Sequence, residues 1–134
     1  MVRVAAAILT GWVAIGILVV MTDAIFAAAI PGFRTMTPQP LYYFVTVTFT
    51  DTLYSIAGGY LCAVIARSAA RGATWGLIIF GEILGVVSAV LFWSSQPHWL
   101  GLGLLVLYPL AVWFGSRLRS GSTDRPAVSG AVLN

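Results

Sequence analysis

The chain has 134 residues, of which 60% are apolar and 8% charged; with a mean hydropathy of +0.97 it has too little polar surface to coat a water-soluble globule, which marks a membrane protein. Its net charge of +3 comes from seven basic residues, all arginine, against four acids, and no basic run or aromatic–basic groove is present to neutralise a phosphate backbone, so a nucleic-acid partner is excluded. The single cysteine, Cys62, excludes an intrachain disulfide and a thiolate metal cluster.

A window of about 20 residues, the length that crosses a ~30 Å hydrocarbon core, finds four apolar spans: Val4 to Ile30, Leu41 to Ala66, Ala73 to Trp93 and His98 to Ser116. The expected fold is an all-α, four-helix antiparallel transmembrane bundle over residues 1–118. The first span begins after Arg3 and contains Ala27-Ala28-Ala29, which imitates a secretory cleavage site. Its apolar run exceeds the ~7–15 residues of a signal core, so an uncleaved helix is expected. Pro31-Gly32 stops that helix, and Pro38 and Pro40 hold the first loop extended. In the second span Thr46, Thr48, Thr50 and Thr52 alternate as in a strand. They lie in a membrane-length run where hydroxyls bond back to carbonyls one turn earlier, so the reading is helix.

Arg67 to Gly72 forms a connection short enough to force a hairpin, and Ser94-Ser95-Gln96-Pro97 forms the third turn. In the fourth span Pro109 removes a backbone donor and is expected to kink the helix beside Tyr108. From residue 119 the composition turns to Ser, Gly, Thr, Asp and Pro, expected as a disordered cytoplasmic tail over 119–134. Arg3, Arg67, Arg71, Arg117, Arg119 and Arg125 fall on one side of the spans and Arg34 on the other, which by the positive-inside rule puts both termini in the cytoplasm. Tyr42, Tyr43, Trp93 and Trp99 then mark the outer interface, and Trp75 and Trp113 the inner one. The arginines form a sparse collar for which topology marking is a sufficient role. Gln39-Pro40-Leu41-Tyr42 and Gln96-Pro97-His98-Trp99 both introduce a descending helix, a four-residue hint of a parallel repeat.

Small residues mark helix contact faces, because apolar side chains gain nothing from leaving lipid for one another. The third span carries Gly81, Gly85 and Ala89 at intervals of four. On the second, Thr48, Asp51, Ser55, Gly58 and Cys62 share one face, with Gly59 beside them. Helix packing within the chain is the plain reading of Gly58, Gly59, Gly81 and Gly85; a homodimer seam is the alternative. Cys62 reads as a small packing residue and His98 as an interface residue.

The informative residues are Asp23, Asp51 and Glu82, since a carboxylate near the centre of a span costs roughly 2.5–3.5 kcal/mol on insertion scales. Counted from the outer ends at 1.5 Å per residue, these three and Tyr108 lie about 10–17 Å deep, one from each span, whereas counted from the cytoplasmic ends Asp51 and Glu82 lie about 9 Å apart in depth. No arginine lies at that depth. At least some of the acids are therefore expected to hold protons, donating to Thr48, Thr52, Ser55, Tyr108 or backbone carbonyls and sharing protons as a coupled set. They serve either as neutral groups that hold the bundle in register, as a protonatable site in a water-filled cavity for proton-coupled transport or cation binding, or as a site completed by another polypeptide or a lipid. No nucleophile–base pair or metal-ligand set accompanies them, so neither an enzyme nor a metal or other cofactor is expected.

Thr22-Asp23, the run from Gly58 to Arg67, Pro97-His98-Trp99, Pro109 and the run from Trp113 to Leu118 together resemble uncharacterised small bacterial four-helix integral membrane proteins. The resemblance spans most of residues 1–119. It implies a multi-pass protein of the bacterial cytoplasmic (inner) membrane and brings no assigned activity. The small multidrug resistance exporters are similar in size and helix number and also embed a glutamate. Theirs lies in the first helix, whereas Glu82 lies in the third span here, so the likeness is one of mechanism. The leading expectation is a non-enzymatic protein acting through helix association, as a homo-oligomer or an accessory subunit with a membrane-protein partner in the lipid bilayer. The rival is a proton-coupled small-solute transporter using Asp51 and Glu82, with Asp23 as an outer gate.

Overall fold

A computed structural model describes residues 2–35, 40–94 and 97–123. The expectations for Pro38, for Ser95 and Gln96, and for the tail from residue 124 lie outside these. The described residues form α1 (Val2–Ala29), α2 (Leu41–Ala66), α3 (Ala70–Leu91) and α4 (His98–Thr123), with 3-10 turns at Phe33–Thr35 and Arg67–Ala69 and no strand. The threonine ladder of α2 is helical. Thr46, Thr48, Thr50 and Thr52 donate to the carbonyls of Tyr42, Phe44, Thr46 and Thr48 at 2.7–2.9 Å, so no hydroxyl is left unsatisfied in an apolar setting.

Three helical stretches are long and apolar enough to cross a membrane: residues 2–29, 41–91 and 98–119. Four separate helices were expected, with a loop over 67–72 dividing the second from the third. Helical structure instead runs on through that segment, because a single residue makes the turn. Arg67 adopts φ 52°, ψ −110°, a conformation L-residues rarely hold, and the 3-10 turn after it leads straight into α3. A second difference is at the end of the chain, where α4 continues through residues 119–123, expected as tail, to Thr123.

The core lies toward the end of the molecule that holds the 67–69 turn. Ala7, Cys62, Ala66, Ala73, Leu77, Ile78 and Val112 form one buried cluster, and Leu77, Val112 and Cys62 are its largest fully buried side chains. Small residues let the backbones meet there. A Cβ added at Gly11 would stand 3.0 Å from the Gly58 carbonyl oxygen and 3.2 Å from Cys62 Cβ. One at Gly59 would strike the Val112 carbonyl, and one at Gly115 the Ile56 carbonyl, so the α2–α4 crossing is backbone against backbone. Two arginines close this end. Arg3 Nε donates to the Ile65 carbonyl at 2.9 Å and Arg119 donates to the Ala63 carbonyl, placing cations on the carbonyl-rich terminus of α2.

At the opposite end the chain folds over itself. Gly32, at φ +75°, turns Phe33 back, so that Phe26, Phe33, Tyr43 and Phe44 form a chain of ring contacts with centroids 4.9–5.7 Å apart. Trp93 and His98 stack at 4.1 Å across the α3–α4 connection.

Candidate functional site

Beyond the packed core, away from the 67–69 turn, the helices part around a cavity of about 180 Å³, roughly tenfold the ~10–15 Å³ that one water requires. All four helices line it: Ile15 and Val19 from α1, Asp51, Thr52 and Ser55 from α2, Gly81, Glu82, Gly85, Ser88 and Ala89 from α3, and Gly101, Leu104, Leu105, Leu107 and Tyr108 from α4. The depth of its chemistry follows from the helix register. Asp51 lies ten residues from the start of α2, Glu82 nine from the end of α3 and Tyr108 ten from the start of α4, each about 14–15 Å along its helix. Ser88 and Gly101, by contrast, lie three residues from the ends of α3 and α4 that the 92–97 connection joins, about 5 Å in. The cavity therefore runs from near that connection down to a polar floor.

Glycines make room for the floor. A Cβ at Gly81 would collide with the Tyr108 phenol, and one at Gly85 would come within 3.1 Å of Leu105 Cδ2. The glycine stripe of α3 is thus taken up inside the chain, against α4. Tyr108 crosses over Gly81 and donates its hydroxyl to the Leu77 carbonyl at 3.0 Å, pinning the bottom of the cavity to the core.

The hydroxyls expected to accept from the protonated acids place their own hydrogens on backbone carbonyls. Thr48, Thr52 and Ser55 donate to the carbonyls of Phe44, Thr48 and Asp51 at 2.7–2.8 Å, and Tyr108 to Leu77. Thr48 is not among the lining residues at all. Their geometry explains this: on a helix, a hydroxyl finds the carbonyl one turn back without any tertiary movement. Glu82 is half-buried, with its Oε1 buried and lacking a hydrogen-bond partner among the described residues. Asp51, on α2, is also half-buried. No arginine lines the cavity. Two carboxyl groups from different helices thus reach one solvent-sized space with acceptor capacity in hand, an arrangement suited to protons, water or a small cation.

Asp23 is separate. It lies outside the cavity lining, exposed on α1, where Tyr43 donates to its Oδ1 at 3.1 Å; Thr22 and Tyr54, 2.7 Å apart, join the same two helices one residue away. The single polar layer expected of one group from each span is therefore three groups lining one cavity and a fourth, Asp23, one turn beyond the Val19 lining residue of α1, where Tyr43 of α2 takes it up. Cys62 is buried in the core, and His98 is exposed against Trp93. Among the described residues no three metal-ligating side chains come together.

Several contributors carried only a weak signal in the sequence. Ser88 and Gly101 complete the cavity without a spacing signal of their own, whereas Ala7-x-x-x-Gly11 and Ala111-x-x-x-Gly115, where α1 and α4 pack on α2, carry the four-residue spacing of small residues. Arg3 and Arg119, expected only as topology markers, bond to the end of α2. Compared with known proteins, the chain matches no family model, no curated protein and no solved structure.

Proposed function

We propose that this chain is a multi-pass protein of a bacterial inner membrane, a four-span antiparallel bundle with both termini in the cytoplasm, in which Asp51 and Glu82 form a proton-coupled binding site for a small cationic solute. The observation that carries the reading is their shared cavity, with a buried Glu82 oxygen that the described residues leave without a donor. The 41–91 stretch would be about 75 Å long if straight, more than twice the ~30 Å of a hydrocarbon core. Since α3 packs against α1, α2 and α4, that stretch fits two passes. The arginine bias orients the cavity mouth outward.

Charge balance sets the exchange. A monovalent cation entering the site displaces one proton from the carboxyl pair, and reprotonation from the other side releases it. Binding and release of the cation against a proton are the chemistry that this reading assigns to the site. In proteoliposomes under a pH jump, the wild type is expected to carry proton-linked flux, and Asp51→Asn and Glu82→Gln to lower it about tenfold or more while remaining folded. Flux equal to wild type in both folded variants would remove the reading.

Asp23 favours a second reading, in which function lies in association. An exposed carboxyl about 9 Å from the end of α1 faces the surroundings of the chain, and a second copy or a membrane-protein partner supplying a donor would cover it. Crosslinking in native membranes tests this: loss of a dimer or heteromer on Asp23→Leu supports it, and a monomer at native expression contradicts it.

A further inference from the structure

A second cavity, of about 380 Å³, opens at the arginine-rich end between the first turns of α3 and the later turns of α4, lined by Ala70, Arg71, Thr74, Trp75, Trp113, Ser116 and Arg117. It contains two cations and no acid. Arg117 lies over the Trp113 ring, its guanidinium carbon 4.2 Å from the centroid, which orients the fork while leaving its N–H groups available. Arg71 is exposed and has no hydrogen bond or ion pair among the described residues, in contrast to Arg3 and Arg119, which bond to α2. Thr74 and Ser116 donate to their own helices at 2.8 Å, so the donors left at the cavity are the two guanidinium groups, with the Trp75 and Trp113 indoles beside them. That set matches a phosphate: forked donors suit its oxygens, the start of α3 adds a favourable dipole, and indoles suit the level where headgroups meet acyl chains.

We propose that this pocket is a binding site for a phosphate-bearing anion, with Arg71 and Arg117 as its ligands and Trp75 and Trp113 as its walls. A lipid headgroup and free phosphate present the same chemistry, and the test separates them. Full-length protein in micelles is titrated with phosphatidylglycerol or phosphatidylcholine, bound lipid is counted by native mass spectrometry, and the phosphatidylglycerol arm is repeated with inorganic phosphate added. The wild type is expected to prefer phosphatidylglycerol about thirtyfold, each single variant Arg71→Gln and Arg117→Gln to lose about fivefold, and the double variant to lose the preference. Arg67→Gln, at the same end but outside the pocket, serves as the control and keeps the preference. Competition by inorganic phosphate assigns the site to the free anion, and its absence to the lipid headgroup; both support the proposal. An unchanged preference in the single variants, or no preference and no phosphate competition in the wild type, overturns it.

Discussion

Replacing Gly59 by alanine adds one methyl group at the tightest point of the molecule. The new Cβ would fall on the Val112 carbonyl, whose nearest atoms are all backbone, so no side chain can rotate away and α2 must separate from α4. Separation also loosens Gly115 against the Ile56 carbonyl, one turn along the same seam. Overpacking of this kind costs about 1–3 kcal/mol. Two other glycines calibrate the effect. A Cβ at Gly58 meets chiefly the Ile15 side chain, which can change rotamer, and one at Gly16 meets nothing within 4 Å. Alanine also favours helix over glycine by up to ~1 kcal/mol, so Gly16→Ala is expected to be neutral or stabilising. Gly58→Ala should fall between the two, and Gly59→Ala should be the worst by about 2 kcal/mol or more. Reversible unfolding of the purified variants in mixed micelles, followed by tryptophan fluorescence, gives the order. If Gly59→Ala unfolds within about 0.5 kcal/mol of Gly16→Ala, the backbone-to-backbone crossing is wrong.

Two further perturbations probe the same framework. Arg67→Gly relieves a positive φ of 52° and is expected to raise the midpoint of thermal unfolding, with a gain of about 1 kcal/mol; a lowered midpoint would mean that the arginine side chain matters more than the strain. Cys62, 0% exposed, is expected to resist maleimide in folded micelles and to react once the protein is unfolded in SDS. Prompt labelling of the folded protein would place it outside the core.

Much of this architecture follows from simple patterns. Length and hydropathy locate the apolar stretches, and α2 begins and ends where Pro40 and the Arg67 turn dictate. The common lining by Asp51, Glu82 and Tyr108 was legible only in part: counting from the outer ends puts them at one depth, whereas counting from the cytoplasmic ends parts Asp51 from Glu82 by about 9 Å, because the helices differ in length. Direction around the helix is harder. The pattern of α1 is apolar on every side, with only Ala7 and Gly11 buried, so nothing local indicates which of its residues line the cavity. The connection at 67–72 was legible, but not that Arg67 alone would make the turn, because a residue with ordinary helix propensity adopts the unusual dihedral where a glycine would have announced it. The hydroxyls of Thr48, Thr52 and Ser55 stay on their own helix because the local carbonyl is always within reach, whereas a partner across the bundle depends on packing that sequence does not display.

The claim on which the functional account rests is that Asp51 and Glu82 act as one site, and a double-mutant cycle on proton-linked flux in proteoliposomes tests it most directly. Members of a shared site are non-additive, so Asp51→Asn with Glu82→Gln is expected to carry no less flux than the weaker of the two single variants. If the two losses multiply, or if either folded single variant retains wild-type flux, the carboxyl groups work independently or not at all.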